Sequence, residues 1–319
     1  MSQSAHQLRV GVVGYGHVGR QHARILSELP DVELAWIVDI DRARAQEGAA
    51  AVGATAAYDA REIAGKVDAV SVAVPTRSHL DVALPFLERG VGVLVEKPLA
   101  GSLDDADRMI SAAVLAGATF GVGHVERFNP AVAAAVPLIT APKFIEVHRL
   151  GTFPERSLDI DVVFDVMIHD LDVILAIVGA EVASIEAVGV AVLTDRIDIA
   201  NVRLRFTSGC IANLTASRIS RDRVRKIRWF QHDAYVSIDY ATQELEHWRL
   251  VRQNGRPPKI EGGRIDVPRE EPLKRELADF VTAVYERRQP TVDGPAGRRA
   301  LALAQQIADK LTTDVTENT

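Results

Sequence analysis

Short apolar runs and stretches of helical periodicity alternate from residue 8 to about residue 125. The runs at 8–13, 32–38, 68–74, 91–95 and 119–124 predict strands, and the segments 17–29, 41–52, 59–64, 78–89 and 102–116 predict helices. Strands that are apolar throughout, each followed by a helix, predict a doubly wound α/β fold with a parallel sheet covered on both faces. Beyond Asn129 the rhythm changes. Residues 143–150, 182–194, 199–207, 210–219, 224–231 and 234–239 predict strands, several alternating in polarity and joined by turns such as Thr207-Ser208-Gly209. They predict a mainly antiparallel, open-faced sheet in an α+β domain. One apolar helix at 161–178 precedes most of these strands, two helices at 271–288 and 295–312 close the chain, and residues 254–258 and Glu261-Gly262-Gly263 are expected to be loops.

The first candidate chemistry sits where the first strand meets the first helix. Gly14, Gly16 and Gly19 form G-x-G-x-x-G there, a loop that lets backbone N–H groups and a helix N-terminus approach a pyrophosphate. Asp39 ends the second strand 20 residues after Gly19, the spacing of the carboxylate that accepts hydrogen bonds from an adenosine ribose. Its charge opposes a 2′-phosphate, which favours NAD over NADP, although Arg42 and Arg44 lie close by. His17, Arg42, Pro75, Thr76 and His79 lie at the ligand-binding edge expected of such a sheet and are candidate cofactor contacts; His22 is expected to be a packed helix residue. Residues 1–126 are therefore expected to be a dinucleotide-binding domain. Residues 127–319 are expected to bind substrate and to oligomerise, the last helix being free to pack back on the first domain.

Composition narrows the classes. A net charge of −6, with Lys and Arg dispersed, gives no footprint for nucleic acid or an anionic membrane. The basic stretch Arg218–Arg228 lies in a strand-rich region and suits a solvated sheet face or an anionic substrate group. The single cysteine, Cys210, rules out an intrachain disulfide and points to a reducing compartment; residues 1–7 lack the pattern of a secretory signal, so a cytoplasmic protein is expected.

Two further segments carry chemistry. Val91–Pro98 ends an apolar strand with Glu96, Lys97 and Pro98, and the proline restricts Lys97 to an extended conformation. In the helix 161–178, Asp161, Asp165, His169 and Asp172 fall on one face of an otherwise apolar cylinder, as expected of a helix presenting a narrow polar stripe to a cleft. A buried pair serving stability is the alternative. No further ligand motif accompanies the Asp and His, so no metal is expected.

Together, Gly14 to Gly19, Glu96-Lys97-Pro98, Asp165-x-x-x-His169 and Pro290-Thr291-Val292-Asp293-Gly294 leading into Ala300-Leu301 span nearly the whole chain. In these pieces it resembles the glucose-fructose oxidoreductase, inositol dehydrogenase and rhizopine catabolism (Gfo/Idh/MocA) family of sugar dehydrogenases. The resemblance implies a Rossmann domain followed by an open-faced sheet domain, with the active site between them and Lys97, Asp165 and His169 acting on the substrate. Gly123-His124-Val125-Glu126-Arg127-Phe128-Asn129-Pro130, His148-Arg149-Leu150-Gly151 and Asp165 to Asp170 are most similar to the subgroup that oxidises UDP-N-acetylglucosamine at C3. Family members commonly form dimers or tetramers through the open sheet, so a homodimer or homotetramer is expected.

The reaction implied is loss of a hydroxyl proton with hydride transfer to nicotinamide. An imidazole such as that of His169, with an intrinsic pKa of about 6.5, suits the base; Asp165 would orient it, and Lys97 would stabilise the alkoxide or relay the proton. His124, Arg127, Arg149 and Arg218 are candidate substrate contacts, since arginine forks suit the phosphates of a UDP-sugar. Structural ion pairs of Arg127 and Arg149 with Glu126, Glu146 or Asp170 stand equal to that reading. The rivals are an inositol or free-sugar dehydrogenase, an NADP-linked reductase and a non-catalytic NAD(P)-binding sensor; a sensor would need none of Lys97, Asp165 and His169.

Overall fold

The computed structural model describes residues 7–153, 160–253 and 256–316. The chain divides into two compact units, residues 1–125 with 271–298 and residues 126–270 with 299–319.

In the first unit β1 (Leu8–Val13), β2 (Val32–Val38), β3 (Thr55–Ala57), β4 (Ala69–Val72), β5 (Gly92–Glu96) and β6 (Phe120–Gly123) form a parallel sheet in the order β3-β2-β1-β4-β5-β6. Helices α1 (His17–Glu28), α2 (Arg42–Val52), α3 (His79–Leu87) and α4 (Leu103–Ala116) alternate with them. Val10, Val12, Val70, Val72, Val93 and Val95 have no exposed surface, as strands covered on both faces require. The order reverses between β1 and β4, so the loops after these strands flank the crevice where such sheets take their ligand. The helix Pro272–Glu286 adds Leu277, Phe280 and Val281 to the same core. Residues 288–293 then line β6, Val122 N donating to Val292 O at 3.0 Å and Thr119 Oγ1 to Arg288 O at 3.0 Å, which covers an open sheet edge. The segment expected as a helix at 59–64 is a single 3-10 turn, Ala60–Ile63.

The second unit holds an eight-stranded sheet of β7 (Pro142–Leu150), β8 (Val182–Val190), β9 (Ile199–Phe206), β10 (Ile211–Ser217), β11 (Val224–Gln231), β12 (Ala234–Asp239), β13 (Glu244–Val251) and β14 (Lys259–Ile265). The order is β14-β13-β12-β11-β7-β10-β9-β8, and every pairing is antiparallel except β7 with β10. One face is apolar. Ile145, Val147, Leu214, Ile227 and Trp229 meet α5 (Pro130–Ala135), α6 (Ile168–Val178) and the part of the helix Gly294–Thr316 that carries Leu303 and Ile307. The other face carries Phe144, Phe230 and Tyr235 in tilted ring contact, and an Arg228–Glu146 pair at 2.7 Å.

Some expectations need correction. Glu261-Gly262-Gly263 is not a loop but the middle of β14, paired with β13. A Cβ on Gly262, at φ 143°, would lie 2.0 Å from His247 O, so glycine here permits close approach of two strands instead of a turn. The helix expected over 161–178 opens with a π-helical turn at Val163–Met167, Ile168 N bonding to Val163 O, and becomes α-helical only from Ile168. That turn breaks the uniform helical phase. Asp161 lies ahead of the helix, accepting from Ile197 N at 2.9 Å, and Asp172 is buried against Arg127 at 3.3 Å, so the four-residue stripe does not exist.

The strand expected over 182–194 stops at Val190 because a carboxylate takes over the next backbone donors. Asp198, with no exposed surface, accepts from the N–H groups of Val192, Leu193 and Thr194 at 2.9, 2.6 and 3.0 Å. The Arg218 Nε donates to its other oxygen at 2.8 Å. Burial opposes ionisation of Asp198, but the Leu193 N–H and the Arg218 guanidinium lead a set of donors that outweighs it and holds the carboxyl far below the usual range. Asp198→Ala strands a buried arginine and is expected to cost about 3–5 kcal/mol in denaturant unfolding. Because the folded-state pKa is depressed, this contribution is complete above the unfolded value of about 3.9 and is lost as pH falls through the folded value. The gap between wild type and variant should be flat from about pH 5 to 8 and narrow only in acid.

Candidate active site

The glycine loop follows from local crowding. Gly14 turns at φ 94°, with its N–H on Val38 O at 2.7 Å, and a Cβ there would lie 2.4 Å from Ala73 O; a Cβ on Gly19 would lie 1.8 Å from Gly14 O. Gly16 differs, since a Cβ on it would meet nothing within 4 Å. Gly16 is the N-cap of α1 and supplies no side-chain cap, and no acidic residue stands in the first turn. The helix thus starts at an open position with its backbone donors and partial positive charge uncompensated by a local carboxylate, which fits a bound diphosphate. His17, exposed, is the first helical residue.

Asp39 is 7% exposed and is held by the loop itself: Oδ2 accepts from Tyr15 N and Oδ1 from Asp41 N, both at 2.8 Å. Oδ2 keeps a second acceptor site, as a ribose hydroxyl needs. Arg44 Nη2 lies 3.4 Å from Asp39 Oδ1, and its Nε lies 3.3 Å from Asp41 Oδ2. Arg42 stacks on Tyr58, 4.3 Å from the ring centroid.

After β4, Pro75 is exposed and Thr76 half-buried in a 3-10 turn. His79 is buried, with Nε2 3.0 Å from Val74 O and Nδ1 3.1 Å from Leu99 O. It fastens the loop after β4 to the segment after β5, a scaffold task. Burial lowers its pKa, against the pull of these carbonyls. Glu96 and Lys97 end β5, and the Lys97–Pro98 peptide is cis. Glu96 Oε1 lies 3.1 Å from His22 Nε2, and His22 Nδ1 lies 2.6 Å from Ser71 Oγ. Burial opposes ionisation of Glu96, but the His22 contact and the charge of Lys97 outweigh it and lower its pKa. Sequence reasoning missed this Ser71–His22–Glu96 chain; the signal was Ser71, the one polar residue in the strand Ala69-Val70-Ser71-Val72.

In the second unit Asp165 and His169 are half-buried, on the π turn and the first turn of α6. The same helix is gripped through its buried acids. Arg149 spans Asp170, at 2.5 and 3.0 Å, and Glu126, at 2.9 Å, and lies over the Tyr240 ring at 4.7 Å. Burial, with the charge of Glu126, raises the Asp170 pKa although Arg149 pulls it down. Arg149 and Arg218, candidate substrate contacts in the sequence, are 5% and 2% exposed and committed to internal carboxylates; Arg127 is 18% exposed and faces Asp172. His124 is buried at the end of β6. Among the described residues no group of three or more His, Cys, Asp or Glu is placed to hold a metal.

Residues 8–124 match a family described as oxidoreductases with an NAD-binding Rossmann fold, and residues 149–232 match the Gfo/Idh/MocA C-terminal domain. UDP-N-acetylglucosamine 3-dehydrogenase of Acidithiobacillus ferrooxidans is 38% identical over 304 residues, covering 94% of this chain and 96% of that one. The chain belongs to the Gfo/Idh/MocA oxidoreductase family. A solved structure of the same Acidithiobacillus enzyme superposes with a TM-score of 0.90 at 36% identity, covering 96% and 97% of the two chains. A further relative, myo-inositol 2-dehydrogenase of Thermotoga maritima, is 31% identical over 93% of this chain and 94% of its own. The first unit is accordingly the NAD-binding Rossmann domain of this family, and the protein is an NAD-linked oxidoreductase acting on a sugar-type hydroxyl.

Asp39 is paired with Arg44, and a buried carboxylate at the end of β2 opposes an added 2′-phosphate. Fluorescence titration should therefore show tighter binding of NADH than of NADPH. Asp39→Ser should weaken NADH about tenfold or more while NADPH gains, because the carboxylate that opposes a 2′-phosphate is removed.

Proposed function

We propose that the protein oxidises the C3 hydroxyl of UDP-N-acetylglucosamine to a ketone with NAD. The observation that carries this reading is end-to-end similarity to the Acidithiobacillus enzyme of that name, at 38% identity over 94% of the chain. The bound cofactor supplies the hydride acceptor. His169 takes the hydroxyl proton, Asp165 orients the imidazole or the sugar, and Lys97 donates to the oxygen as alkoxide charge develops. Hydride leaves C3 as the C–O bond becomes double, and the proton leaves through His169, so the substrate loses two electrons and two hydrogens. Gly14, Gly16 and Gly19 admit the diphosphate of the cofactor, Asp39 its ribose, and His17, Arg42, Pro75, Thr76 and Glu96 line the same unit.

No described helix is long and apolar enough to cross a membrane. The reading includes a cytoplasmic setting, which suits the single free, buried Cys210. It also includes a homodimer or homotetramer joined through the open sheet face, supported by Phe144, Phe230 and Tyr235, since apolar side chains gathered on one exposed face favour self-association.

NADH formation near 340 nm should be greatest with UDP-N-acetylglucosamine in a panel that includes myo-inositol, hexoses and other UDP-sugars. A preference for myo-inositol would support the Thermotoga-like activity instead, and no turnover on any of them would support a sensor. Lys97→Met and His169→Ala should each bind NADH as the parent does and lose at least about a hundredfold in kcat. Parental rates in both would overturn the assignment.

A further inference from the structure

The arginines that the sequence offers for a substrate phosphate are spent inside the second unit: Arg149 on Asp170 and Glu126, Arg218 on Asp198, Arg127 on Asp172. The cations that stay exposed lie a few residues further on. We propose that Arg221 and Arg223, on the loop that leads into β11, with Arg225 at the start of that strand and Phe153 next to Thr152, bind the nucleoside diphosphate part of the substrate. The phosphates fall to the arginines and the base to the ring. The inference rests on the nucleotide-sugar reading above and gives it a place.

The platform is built by two strands that end together. β7 and β10 run parallel, with Leu150 opposite Ser217, and β11 starts opposite Leu150 at Val224. The chains leaving them are tied by Gly151 N to Ser217 O and Ser220 N to Gly151 O, both 2.8 Å, with Ser220 Oγ on Ser217 Oγ at 2.9 Å. Arg223 Nη2 donates to Thr152 Oγ1 at 3.2 Å, a neutral partner that positions the guanidinium without cancelling its charge. Arg221 and Arg225 are exposed and have no carboxylate partner among the described residues. The stretch 221–225 holds three arginines and one acid, Asp222, which leaves an excess of two positive charges. A diphosphate diester carries about two negative ones, and planar forks suit its oxygens.

Position links this platform to the chemistry. Arg225 is the register partner of Arg149, whose guanidinium grips Asp170 next to His169. Arg218, at the root of the loop, donates through Nη1 to Ile160 O at 2.7 Å, just ahead of the turn that carries Asp165. Phe153 is 46% exposed and follows the threonine that Arg223 holds. An exposed ring one residue along the chain from the threonine held by Arg223 offers a face on which a base can stack while the phosphates are paired.

The test is calorimetric titration of the full-length protein with UDP, pyrophosphate and N-acetylglucosamine, alongside KM for UDP-N-acetylglucosamine. The Arg221→Gln/Arg223→Gln double variant should weaken UDP and pyrophosphate by about tenfold or more and raise KM similarly, with NADH affinity and melting temperature unchanged. Phe153→Ala should weaken UDP about fivefold and leave pyrophosphate as it was. UDP affinity within about twofold of the parent in the double variant overturns the proposal, as does a parent that binds no UDP. A parent that binds UDP through these arginines yet leaves UDP-N-acetylglucosamine unoxidised would overturn the assigned substrate and uphold the subsite.

Discussion

A guanidinium removed from water must be surrounded by oxygen, and in the second unit that requirement decides where the helix bearing His169 lies. Arg149 is buried on β7 and satisfied only because Asp170 and Glu126 converge on it. Those two acids come from the first turn of α6 and from the segment before α5, so one strand residue fixes the turn that bears His169. Arg218 does the same for the chain ahead of Asp165, through Asp198 and the Ile160 carbonyl. Neither arginine needs to touch a ligand to govern how Asp165 and His169 are held.

How far the architecture is legible in the sequence follows from how local its cause is. The parallel sheet announces itself because its longer strands are apolar on both faces and helices such as α2 and α4 carry their own caps, Asp41 and Gly53 around the one and Ser102 and Gly117 around the other. β3 escapes notice because three residues, Thr55 to Ala57, make no period and earn strand status only by pairing with β2. Gly262 looks like a turn and is a strand, since the need it meets comes from His247 on the neighbouring strand. The polar stripe on the helix at 161–178 is a fair inference from an ideal period that the π turn then breaks. At the site, glycine spacing and Asp39 are readable because the reasons for them lie within the same supersecondary unit. The fate of Arg127, Arg149 and Arg218 is not, because an arginine bound for a phosphate and one bound for a distant carboxylate look alike until the fold brings the carboxylate in.

Asp39 illustrates a different economy. Its two oxygens take the N–H groups of Tyr15 and Asp41, so the carboxylate we assign to the ribose also shapes the loop we assign to the diphosphate. On that assignment a change at this residue acts on both halves of the cofactor at once, which makes affinity and selectivity hard to vary separately.

The helix Pro272–Glu286 has a consequence for the order in which the protein comes into being. Its Leu277, Phe280 and Val281 share a core with Val10 and Ile25, so the nucleotide-binding unit lacks part of its interior until this helix has left the ribosome. The sheet domain lies between the two pieces in sequence and is itself completed by residues 299–319, so each unit waits for residues beyond 270. Contacts separated by some 250 residues then close the first unit, a non-local step of the kind that slows folding and leaves apolar helix surface waiting for its partner.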